Sequence, residues 1–133
     1  MSLQIQNLLY KVNFLLSIHR YFGGIMELKF REKGKHKIVR LIGSMDIYTA
    51  SKVKKEITQI IDDEECESVV FDMSEVHHMD SSGIALLANI QKKMKSSGNK
   101  FGLLSPTNDI MGVLKLSSLD TFFTIHKTDN DIK

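Results

Sequence analysis

A chain of 133 residues, 42% hydrophobic and 26% charged, is long enough for one domain around one core; a second domain and whole-chain disorder are excluded. A formal net charge of +2 argues against a nucleic-acid platform and against an acidic tail. The single cysteine, Cys66, cannot close an internal disulfide and has no metal-ligand spacing around it, which suits a reducing, cytoplasmic setting.

Residues 1–25 stand apart from the rest. The spacing Ile5, Leu8, Leu9, Val12, Leu15, Leu16 predicts an amphipathic helix, and Gly23-Gly24 breaks it before Met26. No positive charge precedes the apolar part, as a secretory leader requires. Asn7, Lys11, Asn13 and Arg20 leave no apolar run near the ~20 residues that span a bilayer. Two readings are open: a helical extension that packs on its own domain or forms a homodimer contact, and a natural start at Met26.

The domain is expected over residues 26–133. Glu27 to Arg31 alternates, with Leu28 and Phe30 on one face, which reads as a half-buried edge strand. Glu32-Lys33-Gly34-Lys35 is a turn, and a second strand over Lys37 to Ile42 completes a hairpin. After Asp46, the positions Val53, Ile57, Ile60 and Ile61 form one helical face, and Asp62-Asp63-Glu64-Glu65 is read as a solvated acidic connector ending that helix. Ser68 to Asp72 is a buried strand, followed by a loop over Met73–Met79. Ile84, Leu87, Ile90 and Met94 then mark a helix that stops at Ser96-Ser97-Gly98-Asn99. Phe101 to Leu104 is a further strand, Pro106-Thr107-Asn108 opens a third helix, and Phe122 to Ile125 is the last strand. The order β-β-α-β-α-β-α-β predicts an α/β fold: a mixed, mostly parallel sheet with helices packed on it. Asp46 and Asp80–Gly83 each follow a strand, so they are expected to converge on one edge of the domain.

Met79-Asp80-Ser81-Ser82-Gly83 is the stretch with the most chemistry. Asp80 is a good N-cap, and Ser81 and Ser82 fall in the first helical turn, where unpaired N–H groups and the helix dipole favour a negative group. On pattern alone, ordinary capping is the favoured explanation of Asp-Ser-Ser. Other chemistry is poorly served. His77-His78 are adjacent residues that point apart and lack a second ligand pair, so no metal is expected. No Gly-x-Ser-x-Gly elbow or Gly-x-x-x-x-Gly-Lys loop occurs, which disfavours a hydrolase or a nucleotide-binding enzyme and leaves no cofactor implied. Lys92-Lys93-Lys95 lies opposite the apolar face without interleaved aromatics, as a solvated helix face does. Asp72, ending a buried strand, is read as a capping or turn residue. Met45, Met73, Met79 and Met111 are read either as core filling or as adaptable contact surface.

Leu41-Ile42-Gly43-Ser44-Met45-Asp46, Val69-Val70-Phe71-Asp72 and Met79-Asp80-Ser81-Ser82-Gly83 together resemble the successive signatures of a STAS domain, of the bacterial anti-sigma-factor antagonist type, over roughly residues 26 to 128. The resemblance implies a partner switch with no catalysis of its own. The unphosphorylated chain would bind an anti-sigma factor that is also a serine kinase, phosphorylation of Ser81 would release it, and a serine phosphatase would reset it. Asp46, Asp80, Ser81, Ser82 and Gly83 are the implied partner-binding residues, with Gly83 allowing close approach; neither nucleic acid nor membrane is an implied partner. The departures are Ser44, where an acid is common in the family, and Ser118, where a glycine is common. The alternative within the same family is an interaction subunit of a transport or stress-signalling complex without a phosphorylation cycle. Because a phosphate at a helix tip is stabilised there, little internal rearrangement is expected on phosphorylation.

Overall fold

The computed structural model describes residues 19–22, 26–64 and 66–133; the expected N-terminal helix over Ile5 to Leu16 lies outside them. Among the described residues the elements run β1 (His19–Phe22), β2 (Met26–Lys33), β3 (His36–Met45), α1 (Ile47–Glu64), β4 (Ser68–Met79), α2 (Ser81–Ser96), β5 (Lys100–Leu104), α3 (Asn108–Leu116) and β6 (Thr124–His126), ending in a 3-10 turn at Asp129–Asp131. They build one mixed sheet in the order β1-β2-β3-β4-β5-β6. β1 to β3 are antiparallel neighbours, and β3 to β6 run parallel. Successive strands always step in the same direction, so right-handed crossovers put all three helices on one face.

That face holds the main core. Leu28, Phe30, Val39, Leu41, Phe71 and Leu103 of the sheet meet Val53, Ile57, Ile60 and Ile61 of α1, Leu86, Leu87, Ile90 and Met94 of α2, and Ile110 and Leu114 of α3. Each such side chain contributes roughly 1.5–3 kcal/mol by leaving water, which is why the three-and-four spacing decides where the helices form. Phe71 and Phe101 pack edge to face at 5.0 Å. The opposite face carries a small second cluster: Ile38, Val70 and Leu104 under Ile132 of the C-terminal turn.

Four expectations need correction. β2 is not an edge strand, because His19–Phe22 pair along its outer side. α1 runs on through the acidic stretch to Glu64. Its last turn has no basic residue of its own, but Lys93 Nζ of α2 reaches Asp62 at 2.9 Å and supplies the missing cation. Residues 73–79 are strand, not loop: β4 is 12 residues long. It gains one residue on β3 between the pairs Arg40–Asp72 and Ile42–Glu75, and another between Gly43–Val76 and Ser44–His78. Such bulges bend a strand and re-aim its end. Finally, β6 begins at Thr124, because Phe123 turns into the core against Phe101 before the ladder starts.

Candidate functional site

The two bulges decide where the site lies. They bring Met79, the last residue of β4, level with Met45, the last residue of β3. The next residues are Asp80 and Asp46, so the two carboxylates leave neighbouring parallel strands side by side, a strand spacing of about 4.8 Å apart at the backbone. The Asp80 N–H donates to the Met45 carbonyl at 3.2 Å, tying the two turns together.

Each aspartate caps the helix that comes after it. Asp46 Oδ1 accepts the N–H groups of Tyr48 at 2.8 Å and Thr49 at 3.1 Å. Thr49 answers: its Oγ1 accepts the Asp46 N–H at 3.0 Å and donates to the Ser44 carbonyl at 3.0 Å. This is a capping box with threonine as its returning arm. Thr49 is buried to 1% exposure, so its hydroxyl holds Asp46 from inside the protein. The sequence reading missed it, although Asp-x-x-Thr ahead of an apolar helical face is a readable capping signal. Asp80 Oδ1 accepts the N–H groups of Ser82 at 2.9 Å and Gly83 at 3.3 Å. Among the described residues neither carboxylate is paired with a lysine or arginine. The edge is therefore locally negative.

Ser81, the first residue of α2, is exposed, and Ser82 is half-buried. Gly83 is buried and faces inward. A Cβ there would collide with Met79 Cγ and come within 3.1 Å of both Met45 Cγ and the Met45 carbonyl oxygen. Met45, Met73 and Met79 are core side chains, and Met111 is partly buried against the same core. Hence Met45 and Met79 pack beneath this edge, and Met73 fills the core. The lack of a side chain at Gly83 is what lets the tip of α2 sit directly on the ends of β3 and β4.

The expectation that the helix tip would embrace a phosphate on Ser81 needs revision. Two of the N–H groups a phosphate would use, those of Ser82 and Gly83, are already taken by Asp80. A phosphate on Ser81 would project outward, beside two carboxylates.

The remaining candidates fall elsewhere. His77 and His78 are both exposed on β4. Asp72 is buried; its Oδ1 accepts the Ser74 N–H and hydroxyl, and its Oδ2 accepts the Arg40 Nε–H at 3.0 Å. It locks the first bulge of β4 and takes no part in the edge. A cavity of about 900 Å³ lies at the opposite end of the sheet, lined by Lys35, His36, Ser68, Asn99 and Lys100 among others. A doubly wound sheet binds ligands in the crevice where its strand order reverses. Here the order does not reverse among the described strands, so the Asp46–Ser81 edge is not a crevice of that kind. No helix among the described residues is long and apolar enough to cross a membrane.

Comparison with known proteins agrees with this architecture. The family model of the STAS domain matches residues 27–132. An anti-sigma F factor antagonist of Paenibacillus polymyxa is 26% identical over 95 residues, covering 71% of this chain and 80% of that protein. The unphosphorylated form of the anti-sigma factor antagonist SpoIIAA has a TM-score of 0.68 at 18% identity, over 79% of this chain and 92% of that one. The phosphorylated form of SpoIIAA from Bacillus gives a TM-score of 0.63 at 18% identity, over 79% and 96%. At such identities the structural likeness speaks for the fold.

Proposed function

The chain belongs to the STAS domain family, and from that premise we propose that it is an anti-sigma-factor antagonist switched by phosphorylation of Ser81. Unphosphorylated, it binds an anti-sigma factor that is also a serine kinase; phosphorylated, it lets go, and a serine phosphatase restores it. One observation carries this reading: an exposed hydroxyl on the first turn of α2, flanked by two capping carboxylates on paired strand ends. The relatives support it, one being an anti-sigma F factor antagonist and another existing in phosphorylated and unphosphorylated forms.

The chemistry makes the switch self-limiting. In-line transfer needs the Ser81 hydroxyl within about 3–3.5 Å of the donor phosphorus, so the kinase must present its nucleotide phosphates to this edge. The product carries about −1.5 to −2 charges at the same place. Two charges about 6 Å from one unit of negative charge, at an effective dielectric near 20, cost on the order of 5 kcal/mol. A hundredfold loss of affinity requires only about 2.8 kcal/mol. Because Asp80 already holds the neighbouring N–H groups, the phosphate has little to gain inside its own domain, and the charge is felt at the interface. Asp46 and Asp80 position the two helix tips, Ser82 backs the acceptor, and Gly83 seats α2.

The test is incubation with ATP and each serine kinase of the anti-sigma type encoded in the same genome, followed by mass mapping. Modification of Ser81, abolished by Ser81→Ala, is the expected result. Labelling that persists in Ser81→Ala moves the acceptor to Ser82, and no labelling by any kinase refutes the cycle.

A further inference from the structure

Large apolar side chains left in water are the exception in this protein. Among the described residues they are Ile47, Tyr48, Leu116 and Phe122. The first two are consecutive and occupy the first turn of α1, immediately after Asp46. Ile47 is 65% exposed and Tyr48 is 74% exposed. A helical first turn favours acids, which complement its dipole, and α1 has none there. The capping of α1 does not need these side chains either, because Asp46 binds the backbone N–H groups of Tyr48 and Thr49. Folding therefore gives no reason for an isoleucine and a tyrosine at these positions.

Their place in the fold does. Met45 and Met79 are paired, and Asp80 bonds back to Met45, so the first turns of α1 and α2 open side by side onto the same edge. Ile47 and Tyr48 thus continue the surface that displays Ser81. We infer that Ile47 and Tyr48 are the apolar anchor through which the anti-sigma kinase grips this edge. They carry affinity and partner choice, while Ser81 carries the switch. This rests on the proposed partner reading and adds to it the residues that would supply binding strength. Tyrosine suits the role: it brings a large rigid contact area with few rotatable bonds, and such residues dominate binding energy when enclosed. The partner is accordingly expected to offer an apolar pocket for the Tyr48 ring beside its nucleotide phosphates.

The experiment is calorimetric titration of the full chain into each purified anti-sigma kinase from the same genome, in about 50 mM and about 500 mM salt. The double variant Ile47→Ser/Tyr48→Ser is expected to bind at least about thirtyfold more weakly than wild type. The factor should be the same at both salt concentrations, since salt screens charges and not apolar burial. Tyr48→Phe should bind within about threefold of wild type, because the ring and not the hydroxyl is the anchor. Both side chains are exposed, so the thermal midpoint of the double variant should stay within a few degrees of wild type; a larger fall would make them structural and overturn the inference. Wild-type affinity in the double variant overturns the anchor and leaves the switch standing. A loss that fades at high salt also overturns it. Binding of the wild-type chain to none of the kinases removes the partner reading, and the anchor with it.

Discussion

Gly83 is where folding and the proposed site depend on the same missing atom. Alanine at this position adds one methyl group facing Met79 Cγ, Met45 Cγ and the Met45 carbonyl oxygen, the last two at 3.1 Å. The methionine side chains can swing away, but the carbonyl belongs to the end of β3 and accepts the Asp80 N–H. Overpacking of this kind costs about 1–3 kcal/mol. Against it stands the helix preference of alanine over glycine, about 0.5–1 kcal/mol. The net expectation is a loss of about 1 kcal/mol, or roughly 3–5 °C in Tm for a chain of this size. Because part of the clash is with Met79, the penalty should shrink in a Met79→Ala background, so the two substitutions should not add. Urea denaturation of the four chains of this double-mutant cycle measures both numbers. Gly83→Ala as stable as wild type, or an equal penalty in both backgrounds, would show that α2 is not seated on the strand ends in the way described.

Three other substitutions test separate parts of the structure. Ser118 closes α3 in a left-handed conformation, φ +56°, with its N–H bonded to Lys115 and the Leu119 N–H bonded to Leu114. Glycine is the usual residue in such a motif, so Ser118→Gly should raise stability by about 1 kcal/mol, read as a higher urea midpoint at unchanged slope. Asp72→Ala should cost about 1–3 kcal/mol by removing the two hydrogen bonds that the buried carboxylate accepts from exposed Ser74, with Asp72→Asn costing less because its carbonyl oxygen can still accept both; Arg40 is half-exposed and adds little. Asp129 is held below the usual carboxylate range by hydrogen bonds from Lys33 and then Arg31. A lowered folded pKa means that its contribution is present above about pH 4 and is lost as the pH falls further. Asp129→Asn should therefore destabilise the protein at pH 7 more than at pH 2.5, a difference that Tm measurements across this range would detect.

Much of this protein was legible residue by residue. The face Val53, Ile57, Ile60, Ile61 predicted α1 because burying one stripe every 3.6 residues is a local property of a helix. Leu28 and Phe30 against Lys29 and Arg31 did the same for β2, where the period is two. The Asp80 cap, the Thr107 cap and the Gly98 stop were readable because each depends on a few consecutive residues. Reading failed where a partner distant in the chain decided the outcome. Asp62-Asp63-Glu64 looked like a helix terminator, yet Lys93, about thirty residues later, pairs with Asp62. Residues 73–79 looked like a loop because two bulges break the alternation that marks a strand, and only pairing with β3 keeps them extended.

The sequence by itself determined which segments bury a face, where α2 begins, and that Ser81 comes directly after an N-cap, since local spacing and capping chemistry are enough for each. The order of elements already placed Asp46 and Asp80 on one edge; only the tertiary structure decided that they leave paired strand ends, that Thr49 holds the first from within, that Gly83 looks inward, and that Ile47 and Tyr48 remain in water beside Ser81. The physical reason is register: two extra residues in β4 set Met79 against Met45, and strand register is set by side chains packed between elements, not by the order of residues within one.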